Sequence, residues 1–241
     1  MLRDPGLLHG RTSPSEESVL LEFANQDFGY EQGLVLRNVS LSIYPGDRIA
    51  LIGESGAGKS TLLSSIHARL SEQAALVPQN PGLVSTLSVF HNIYMGRLNR
   101  HPSWYNLRNL VWPRRAEVEA IRPLVQRLGL EEKLFERAGA LSGGQQQRVA
   151  VCRALHHDGK LVLGDEPVSA VDSYQARAVL DTLHESFETV VLAMHDVELA
   201  LRYASRIIGL KQGRVVVDRP NLGLSRQDLA ELYSSADETR G

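Results

Sequence analysis

The chain has few features that would place it in an oxidising compartment or within a lipid bilayer. Its 241 residues include one cysteine, Cys152, which cannot form an internal disulfide and is typical of a reducing compartment. No uncharged apolar run approaches the roughly 20 residues that a membrane-spanning helix needs. The formal charge of −2 gives the chain no global attraction for nucleic acid. The single cysteine, the small net charge and the lack of a long apolar run predict a globular subunit that reaches a membrane only through a partner.

The N-terminal residues also lack the long apolar core of a signal peptide or an anchor. Residues 1–18 are therefore predicted to form a loosely ordered extension. Residues 19–241 are expected to form a single domain, because a chain of this length can bury a core without disulfides or metals. From about 81 to 141 the apolar spacing is helical, which predicts a helical subdomain inserted into the rest of the domain.

Most of the other segments alternate between strand and helix patterns. Residues 48–52 form a continuous apolar run, typical of a strand buried on both faces of a parallel sheet. Similar runs at 161–163 and 190–193 are separated and followed by helical patterns, an order that predicts an α/β fold with a parallel sheet. Residues 19–23 and 34–43 are also predicted to be strands, and the alternation at 39–43 suits a half-exposed antiparallel sheet. A further short strand is predicted at 74–77.

A phosphate-loop motif follows the first buried strand and precedes a predicted helix at 59–70. The pattern G-x-x-x-x-G-K-[ST] is formed by Gly53, Glu54, Ser55, Gly56, Ala57, Gly58, Lys59, Ser60 and Thr61. Its glycines let backbone N–H groups face phosphates, Lys59 can reach the β- and γ-phosphate oxygens, and the Ser60 hydroxyl can ligate Mg²⁺. The alternative is a chance match in a Gly-rich turn, and the strand–loop–helix setting argues against it.

Two carboxylates, Asp165 and Glu166, end the buried strand that begins at Leu161. Because the ends of parallel strands lie beside the phosphate loop, Asp165 is expected to hold Mg²⁺, directly or through water. Glu166 is then placed to orient and partly deprotonate an attacking water. The alternative is a solvated acidic loop after a core strand. Together with the phosphate loop, the pair predicts a P-loop NTPase.

A second anion-binding motif lies within residues 141–148. It consists of Ser142, Gly143, Gly144 and Gln145 at the start of a predicted helix, where bare N–H groups and the helix dipole favour phosphate. One γ-phosphate cannot be held by two phosphate loops of the same small chain without gross distortion. Two copies placed head to tail are therefore expected, each loop facing the Ser-Gly-Gly of the other copy. A simple helix N-cap is the alternative.

In this order the motifs resemble those of the nucleotide-binding subunits of ABC transporters, from Val19 to about Tyr233. The resemblance implies an α/β P-loop NTPase with a RecA-like parallel-sheet core, an antiparallel β lobe and an inserted α-helical subdomain. It implies ATP hydrolysis with Mg²⁺, in which Lys59 and Glu166 take part. It also implies a homodimer at the cytoplasmic face of the membrane, working with transmembrane permease subunits and indirectly with a solute-binding protein, without nucleic acid.

The resemblance also suggests roles for four further residues. Gln79 matches the Q-loop glutamine, which contacts Mg²⁺ and senses the permease, and Asp172 lies in a D-loop that links the two sites of the dimer. His195 matches the switch histidine at the γ-phosphate, and Tyr30 stands where an aromatic ring stacks on adenine. Considered singly, Gln79 could instead be a surface amide, His195 a structural histidine and Tyr30 a loop aromatic.

One spacing departs from the family pattern. Gln79 follows Lys59 by only 20 positions (79 − 59), whereas most relatives carry a longer insert that includes an antiparallel hairpin. Either the hairpin is shortened here or Gln79 is misplaced as the Q-loop residue.

The predicted helical subdomain has an unusual charge distribution. No Asp or Glu occurs from Gln73 to Ala116, whereas Trp104, Tyr105 and Trp112 do, together with five arginines: Arg97, Arg100, Arg108, Arg114 and Arg115. This basic stretch could face an anionic membrane surface or an acidic partner loop, and an ordinary solvated helical lobe is an equal alternative. In the family this lobe receives the coupling helices of the membrane subunits.

The segment 95–104 resembles the ATPase subunits of phosphonate importers, which suggests import of a small anionic solute such as phosphonate. The lack of a fused membrane domain also favours import. A soluble ABC-type ATPase that regulates or remodels a complex, such as a phosphonate-degrading assembly, is the alternative. A P-loop kinase or GTPase is disfavoured, because no N-K-x-D motif occurs and residues 141–148 have no use in a monomeric kinase.

Overall fold

The computed structural model describes residues 18–31 and 33–233. The predicted extension at 1–18 therefore lies, apart from Ser18, outside the described residues. The described strands are β1 (Leu21–Tyr30), β2 (Gly33–Ile43), β3 (Arg48–Ile52), β4 (Ala74–Val77), β5 (Leu161–Asp165), β6 (Thr189–Ala193), β7 (Arg206–Lys211) and β8 (Arg214–Pro220). The described α-helices are α1 (Lys59–Leu70), α2 (Val89–Tyr94), α3 (Ser103–Val111), α4 (Arg115–Arg127), α5 (Gly143–Leu155), α6 (Ser173–Ser186) and α7 (Val197–Tyr203).

The main sheet has six strands in the order β4-β5-β6-β3-β7-β8. Its first five strands pair in parallel, and β8 adds antiparallel to β7 at one edge. Successive side chains of the central strand β3 enter two different hydrophobic clusters, Ile49 and Leu51 on one face and Ala50 and Ile52 on the other. The predicted α/β fold is confirmed, and the continuous apolar runs are strands covered on both faces.

The separate antiparallel sheet consists of β1 and β2, with Leu21 opposite Ile43. β1 extends to Tyr30, beyond the strand that the sequence pattern suggests at 19–23. Register shifts between Phe23 and Phe28 interrupt the alternation of apolar residues, so the continuation is hidden in the sequence. The two rings nevertheless meet edge to face, with centroids 4.8 Å apart.

The segment between the phosphate loop and Gln79 is short because it lacks a hairpin. α1 ends at Leu70 and β4 begins at Ala74, and no strand occurs between them in this fully described stretch. β4 pairs in parallel with β5 and is therefore a strand of the main sheet. The antiparallel part of the fold is therefore shortened, and Gln79 still follows a core strand directly.

Between β4 and α5, the described residues form α2, α3, α4 and short 3-10 turns. Phe90 of α2 and Ile121 of α4 are fully buried in the same cluster as Val162 of the main sheet. α4 ends at Arg127, and Gly129 follows it with φ +65°, a conformation that glycine adopts readily after a helix. The helical segment shares a core with the sheet, and its exact limits as a subdomain stay a prediction. Among residues 18–31 and 33–233, no helix is long and apolar enough to cross a membrane.

Candidate active site

The phosphate loop joins β3 to α1, as the motif predicts. The Lys59 side chain folds into the loop, where its Nζ donates hydrogen bonds to the carbonyl oxygens of Gly53 (2.8 Å) and Glu54 (3.0 Å). Only 6% of the residue is exposed. Burial lowers the pKa of the Lys59 ammonium, and the nearby carboxylates of Glu166 and Asp165 oppose that shift. The loop thus holds a cation within reach of both acidic residues, in the setting that polyphosphate binding requires.

The glycines of the loop are needed for two different reasons. Gly53 has φ +145°, and a Cβ there would overlap the carbonyl oxygen of Leu210 in β7. Gly58 has φ +106°, and a Cβ there would overlap the Leu36 side chain. Gly56 has φ +80° but open space around it. Strand β7 packs closely against the start of the loop at Gly53, and β2 packs closely against its end at Gly58. The middle of the loop, at Gly56, is open to a ligand.

Gly53→Ala and Gly56→Ala are expected to differ in their effects. The left-handed backbone costs each substitution roughly 1–2 kcal/mol, but only Gly53→Ala must also displace the Leu210 carbonyl. Gly53→Ala should therefore lower the thermal midpoint more and abolish binding of a fluorescent ATP analogue, whereas Gly56→Ala should keep measurable binding. Equal losses of binding and stability in the two variants would contradict this steric argument.

Asp165 and Glu166 lie where β5 ends. Asp165 pairs with Ala193 of the neighbouring strand β6, and the Glu166 N–H donates to the Ala193 carbonyl oxygen at 3.1 Å. Glu166 has φ +54°, an uncommon conformation for a residue with a side chain and one found often at functional sites. The Asp165 Oδ1 atom is buried and has no hydrogen-bond partner among the described residues. A buried carboxylate oxygen without a donor fits a hard cation such as Mg²⁺.

His195 follows β6 and contacts Glu166 across the strand ends. Its Nε2 lies 2.5 Å from Glu166 Oε1, so the imidazole orients the carboxylate. Both residues line a cavity of about 630 Å³ between the strand ends and the first turns of α6 and α7. The sheet therefore brings together two residues that are 29 positions apart (195 − 166).

Gln79 lies at the same edge of the sheet. β4 ends at Val77, which pairs with Gly164 of β5, so Gln79 and Asp165 both emerge just beyond paired residues. The Gln79 side chain is exposed. Its position agrees with a residue that can approach a metal bound at Asp165, although the assignment stays a prediction.

Ser142 caps the N-terminus of α5. Its Oγ accepts a hydrogen bond from the Gln145 N–H (3.3 Å), and its own N–H donates to Gln145 Oε1 (2.9 Å), which forms a capping box. The Gln145 amide is therefore engaged within its own chain. A Cβ at Gly143 would meet nothing within 4 Å, so this helix end is open to a ligand. The geometry fits both the predicted anion site and the alternative of a helix cap.

Asp172 lies at the start of α6, and Tyr30 lies at the end of β1. Asp172 caps α6, where its Oδ1 accepts hydrogen bonds from the Tyr174 and Gln175 N–H groups, both at 3.0 Å. Tyr30 ends β1 with 62% of the residue exposed, so its ring is available for stacking. The proposed roles of Asp172 in linking two sites and of Tyr30 in stacking on adenine stay predictions.

Several contacts that shape the site are not evident from the sequence. The Ser169 hydroxyl donates to the Glu166 carbonyl oxygen at 3.1 Å and so supports the strained residue. A Cβ at Gly144 would lie 2.7 Å from the Ala170 carbonyl oxygen, which shows how closely α5 packs against the segment that follows Glu166. Arg148 donates to the Leu128 carbonyl oxygen at 2.7 Å and ties α5 to the helical segment. These contacts depend on tertiary packing, and only the Ser-Ala-Val-Asp sequence at 169–172 could have drawn attention to them.

Comparison with known proteins identifies the class that this fold and site define. The family model described as ABC transporter matches residues 36–169, and the chain belongs to that family. A curated relative, the phosphonates import ATP-binding protein PhnC of Maricaulis maris strain MCS10, is 35% identical over 93% of this chain and 97% of its own length. PhnC of Rhizobium etli is 37% identical, over 86% of this chain and 84% of that protein.

Solved structures agree with this assignment. A nucleotide-free ATP-binding cassette from an ABC transporter is 23% identical, superposes with a TM-score of 0.73, and is matched over 90% of this chain and 99% of that one. A dimeric cassette in a post-hydrolysis state, bound to ADP and Pi, is 26% identical with a TM-score of 0.68 over 84% of this chain and 99% of that one. The fold class is confirmed, and the chain is an ATP-binding and ATP-hydrolysing protein of the ABC type.

Proposed function

We propose that the chain is the ATPase subunit of an importer for phosphonates. The similarity over most of the chain to proteins named for phosphonate import carries this proposal. Their names favour transport over the alternative of a soluble ATPase in a remodelling complex. The segment 95–104, which resembles such subunits in sequence, lies among the helices that follow β4. Solute recognition is assigned to a binding protein and to permease subunits, while this chain supplies the energy.

The site residues are proposed to divide the work of ATP hydrolysis. The backbone of residues 53–61 and the Lys59 ammonium would bind the phosphates, with Tyr30 stacking on the adenine ring. Ser60, Gln79 and Asp165 would hold Mg²⁺, which when bound neutralises charge that develops on the phosphate oxygens. The unpartnered Asp165 Oδ1 supports that set.

Glu166 is proposed to be the general base. Its carboxylate is largely buried and is held by His195 Nε2, so it is presented in one orientation to a water at the strand ends. A base in this position takes the proton from water as its oxygen attacks the γ-phosphorus, and ADP leaves. The His195 side chain is half exposed, and it is proposed also to contact the γ-phosphate. The strained backbone of Glu166 supports a specialised role at this position.

A second copy of the chain is proposed to complete each site. The open N-terminus of α5, with Ser142 and Gly143, would bind the γ-phosphate held by the other copy's Lys59, and Asp172 would link the two sites. ATP would then bind the closed dimer more tightly than the open one, and this difference in affinity shifts the conformational equilibrium of the permease. In this proposal, the dimer lies peripherally at the cytoplasmic face of the membrane.

Phosphonate uptake by a strain lacking this chain tests the proposal. We expect the deletion strain to grow on inorganic phosphate and to fail on an alkylphosphonate as sole phosphorus source, because the permease has lost its energy supply. Re-expression of the wild-type chain should restore uptake of radiolabelled phosphonate, and the Glu166→Gln variant should not. Undiminished uptake in the deletion strain would refute the assigned solute, and purification of the chain with a soluble enzyme complex would refute transport.

A further inference from the structure

A short 3-10 helix late in the described chain, Gln227–Leu232, packs beside the start of the phosphate loop. Leu232 is buried in the same hydrophobic cluster as Ile52 of β3. The Leu232 methyl groups lie 2.8 Å from the place that a Cβ at Gly209 would occupy, and Gly209 is the β7 residue that pairs with Ile52. Because Gly53 follows Ile52 directly, this helix lies against the point where β3 becomes the phosphate loop.

Tyr233 follows this helix and reaches the candidate active site. The residue is 36% exposed and lines a cavity of about 710 Å³ together with His195 and Asp196. The backbone before it is tied to β7 by Lys211, whose Nζ donates to the Glu231 carbonyl oxygen at 2.6 Å. The packing thus brings a residue of the last described segment next to His195.

The Tyr233 hydroxyl is hydrogen-bonded to the backbone of Gly53. Burial raises the pKa of the Tyr233 phenol, whereas this bond and the charge of Arg226 act to lower it. A bond that favours the phenolate is one donated to its oxygen, so the donor is the Gly53 N–H. The Gly53 carbonyl oxygen has a separate partner, because it accepts from Lys59 Nζ at 2.8 Å. Both polar backbone groups of this glycine are therefore engaged, one by Tyr233 and one by the lysine proposed to bind phosphate.

Gly53 needs such contacts because glycine has no side chain to restrict its backbone. Its φ of +145° is one of several conformations that glycine adopts at similar cost. The Leu210 carbonyl oxygen closes one side of the residue, since it would lie 2.1 Å from a Cβ there. The hydrogen bond from the Gly53 N–H restricts the backbone further and keeps its carbonyl oxygen directed at Lys59. The start of the loop is thus ordered before nucleotide binds, which lowers the entropic cost of binding.

We propose that Tyr233 is a positioning residue for ATP binding, whose hydroxyl fixes the start of the phosphate loop through the Gly53 N–H. Tyr233 contacts no phosphate in this role and acts through Gly53 and Lys59. The role rests on the proposed binding of phosphates by residues 53–61. It makes the affinity for ATP depend on the docking of residues 227–233, a segment that carries none of the nucleotide-binding motifs.

Tyr233→Phe removes only the hydroxyl, and Tyr203→Phe is the matched control. The Tyr203 hydroxyl donates to Asp181 Oδ1 at 2.8 Å, and Tyr203 lines neither of the two cavities at His195. Loss of one hydrogen bond should raise the KM for ATP about fivefold in Tyr233→Phe. Because the ground state and the transition state lose the same contact, kcat should stay near the wild-type value. Tyr203→Phe should change neither constant, although it also loses a phenol hydrogen bond.

Amide hydrogen exchange tests the bond itself in the absence of ATP. The Gly53 N–H should exchange faster in Tyr233→Phe than in the wild-type chain, because its acceptor is lost. Exchange of the same amide should be unchanged in Tyr203→Phe. Equal exchange in all three proteins would overturn the proposal. An equal rise of the KM in both variants would also overturn it, because the loss would then be a general one.

Lys59→Ala separates failure of the positioning role from failure of the proposed phosphate loop. This variant is expected to lose most of its affinity for a fluorescent ATP analogue. If it does, and Tyr233→Phe binds the analogue as tightly as the wild-type chain, Tyr233 has no positioning role and the assignment of the loop stands. If Lys59→Ala binds the analogue normally, the assignment of the loop is wrong, and the role of Tyr233 is wrong with it.

Discussion

Replacing Glu166 by glutamine is expected to leave ATP binding intact while lowering the rate of hydrolysis by about 10²–10⁴-fold. The amide keeps the size of the side chain but cannot accept the proton of the attacking water. Lys59 makes its hydrogen bonds to Gly53 and Glu54 and none to Glu166, so the phosphate loop should be undisturbed. Because ATP is bound but not cleaved, the variant should accumulate as a closed dimer on size exclusion with Mg-ATP.

Glu198→Gln is the matched control for Glu166→Gln. Glu198 lines the same cavity, but its carboxylate lies on the surface, 3.8 Å from Arg226. The Glu198→Gln variant should hydrolyse ATP at nearly the wild-type rate. Both variants should bind a fluorescent ATP analogue with similar affinity. Single-turnover phosphate release measures the chemical step. Normal release by Glu166→Gln would remove Glu166 as the general base, whereas equal losses in both variants would show that the cavity as a whole is sensitive.

Mixing Lys59→Ala with Ser142→Arg is expected to restore hydrolysis that neither variant shows alone. Lys59→Ala removes the ammonium proposed to contact phosphate, and Ser142→Arg fills the helix end proposed to face the other copy's nucleotide. In a mixed dimer both changes fall in one site, and the second site is complete. Since about half of the dimers are mixed after equal mixing, roughly a quarter of the sites should be active.

Phosphate release from the separate and the mixed variants measures this recovery. Ser142→Thr serves as the control, because threonine can also cap α5 and so preserves the bond to the Gln145 N–H. The Ser142→Thr variant should keep most of the ATPase activity. Ser142→Arg also loses the helix cap, which should lower the free energy of unfolding by about 1 kcal/mol. A thermal melt measures that loss. Absence of recovery on mixing two folded, dimer-competent variants would exclude a site shared between copies.

The elements that carry the chemistry could be predicted because their signals are local. The run at 48–52, the helix at 59–70 and the short strand at 74–77 all occur at the predicted positions. Each is encoded by neighbouring residues: an apolar run buried on both faces, a Gly-rich loop leading into a helix, or an apolar segment between polar turns. The motifs and their order also sufficed to suggest the family that the comparisons confirm.

The extension of β1 to Tyr30 could not be predicted in this way. Its continuation depends on register shifts and on the packing of Phe28 against Phe23, and neither leaves a regular alternation in the sequence. The outward orientation of Trp104 in α3 and of Trp112 just after it was hidden for a similar reason. The sequence shows which residues share a helical face, but not which face is turned inward, and ordinary amphipathicity would bury the tryptophans.

Local sequence patterns thus specify the buried core strands, the helix after the phosphate loop, the loop itself and the nucleotide chemistry, since each depends on residues close together in the chain. Tertiary structure alone decides that Leu210 closes on Gly53, that His195 holds Glu166, and that Trp104 faces outward. These features join segments 29 to 157 positions apart (195 − 166 and 210 − 53), or depend on how a helix is rotated against the core. Such contacts are set by the summed packing of the whole chain, which no short stretch of residues encodes.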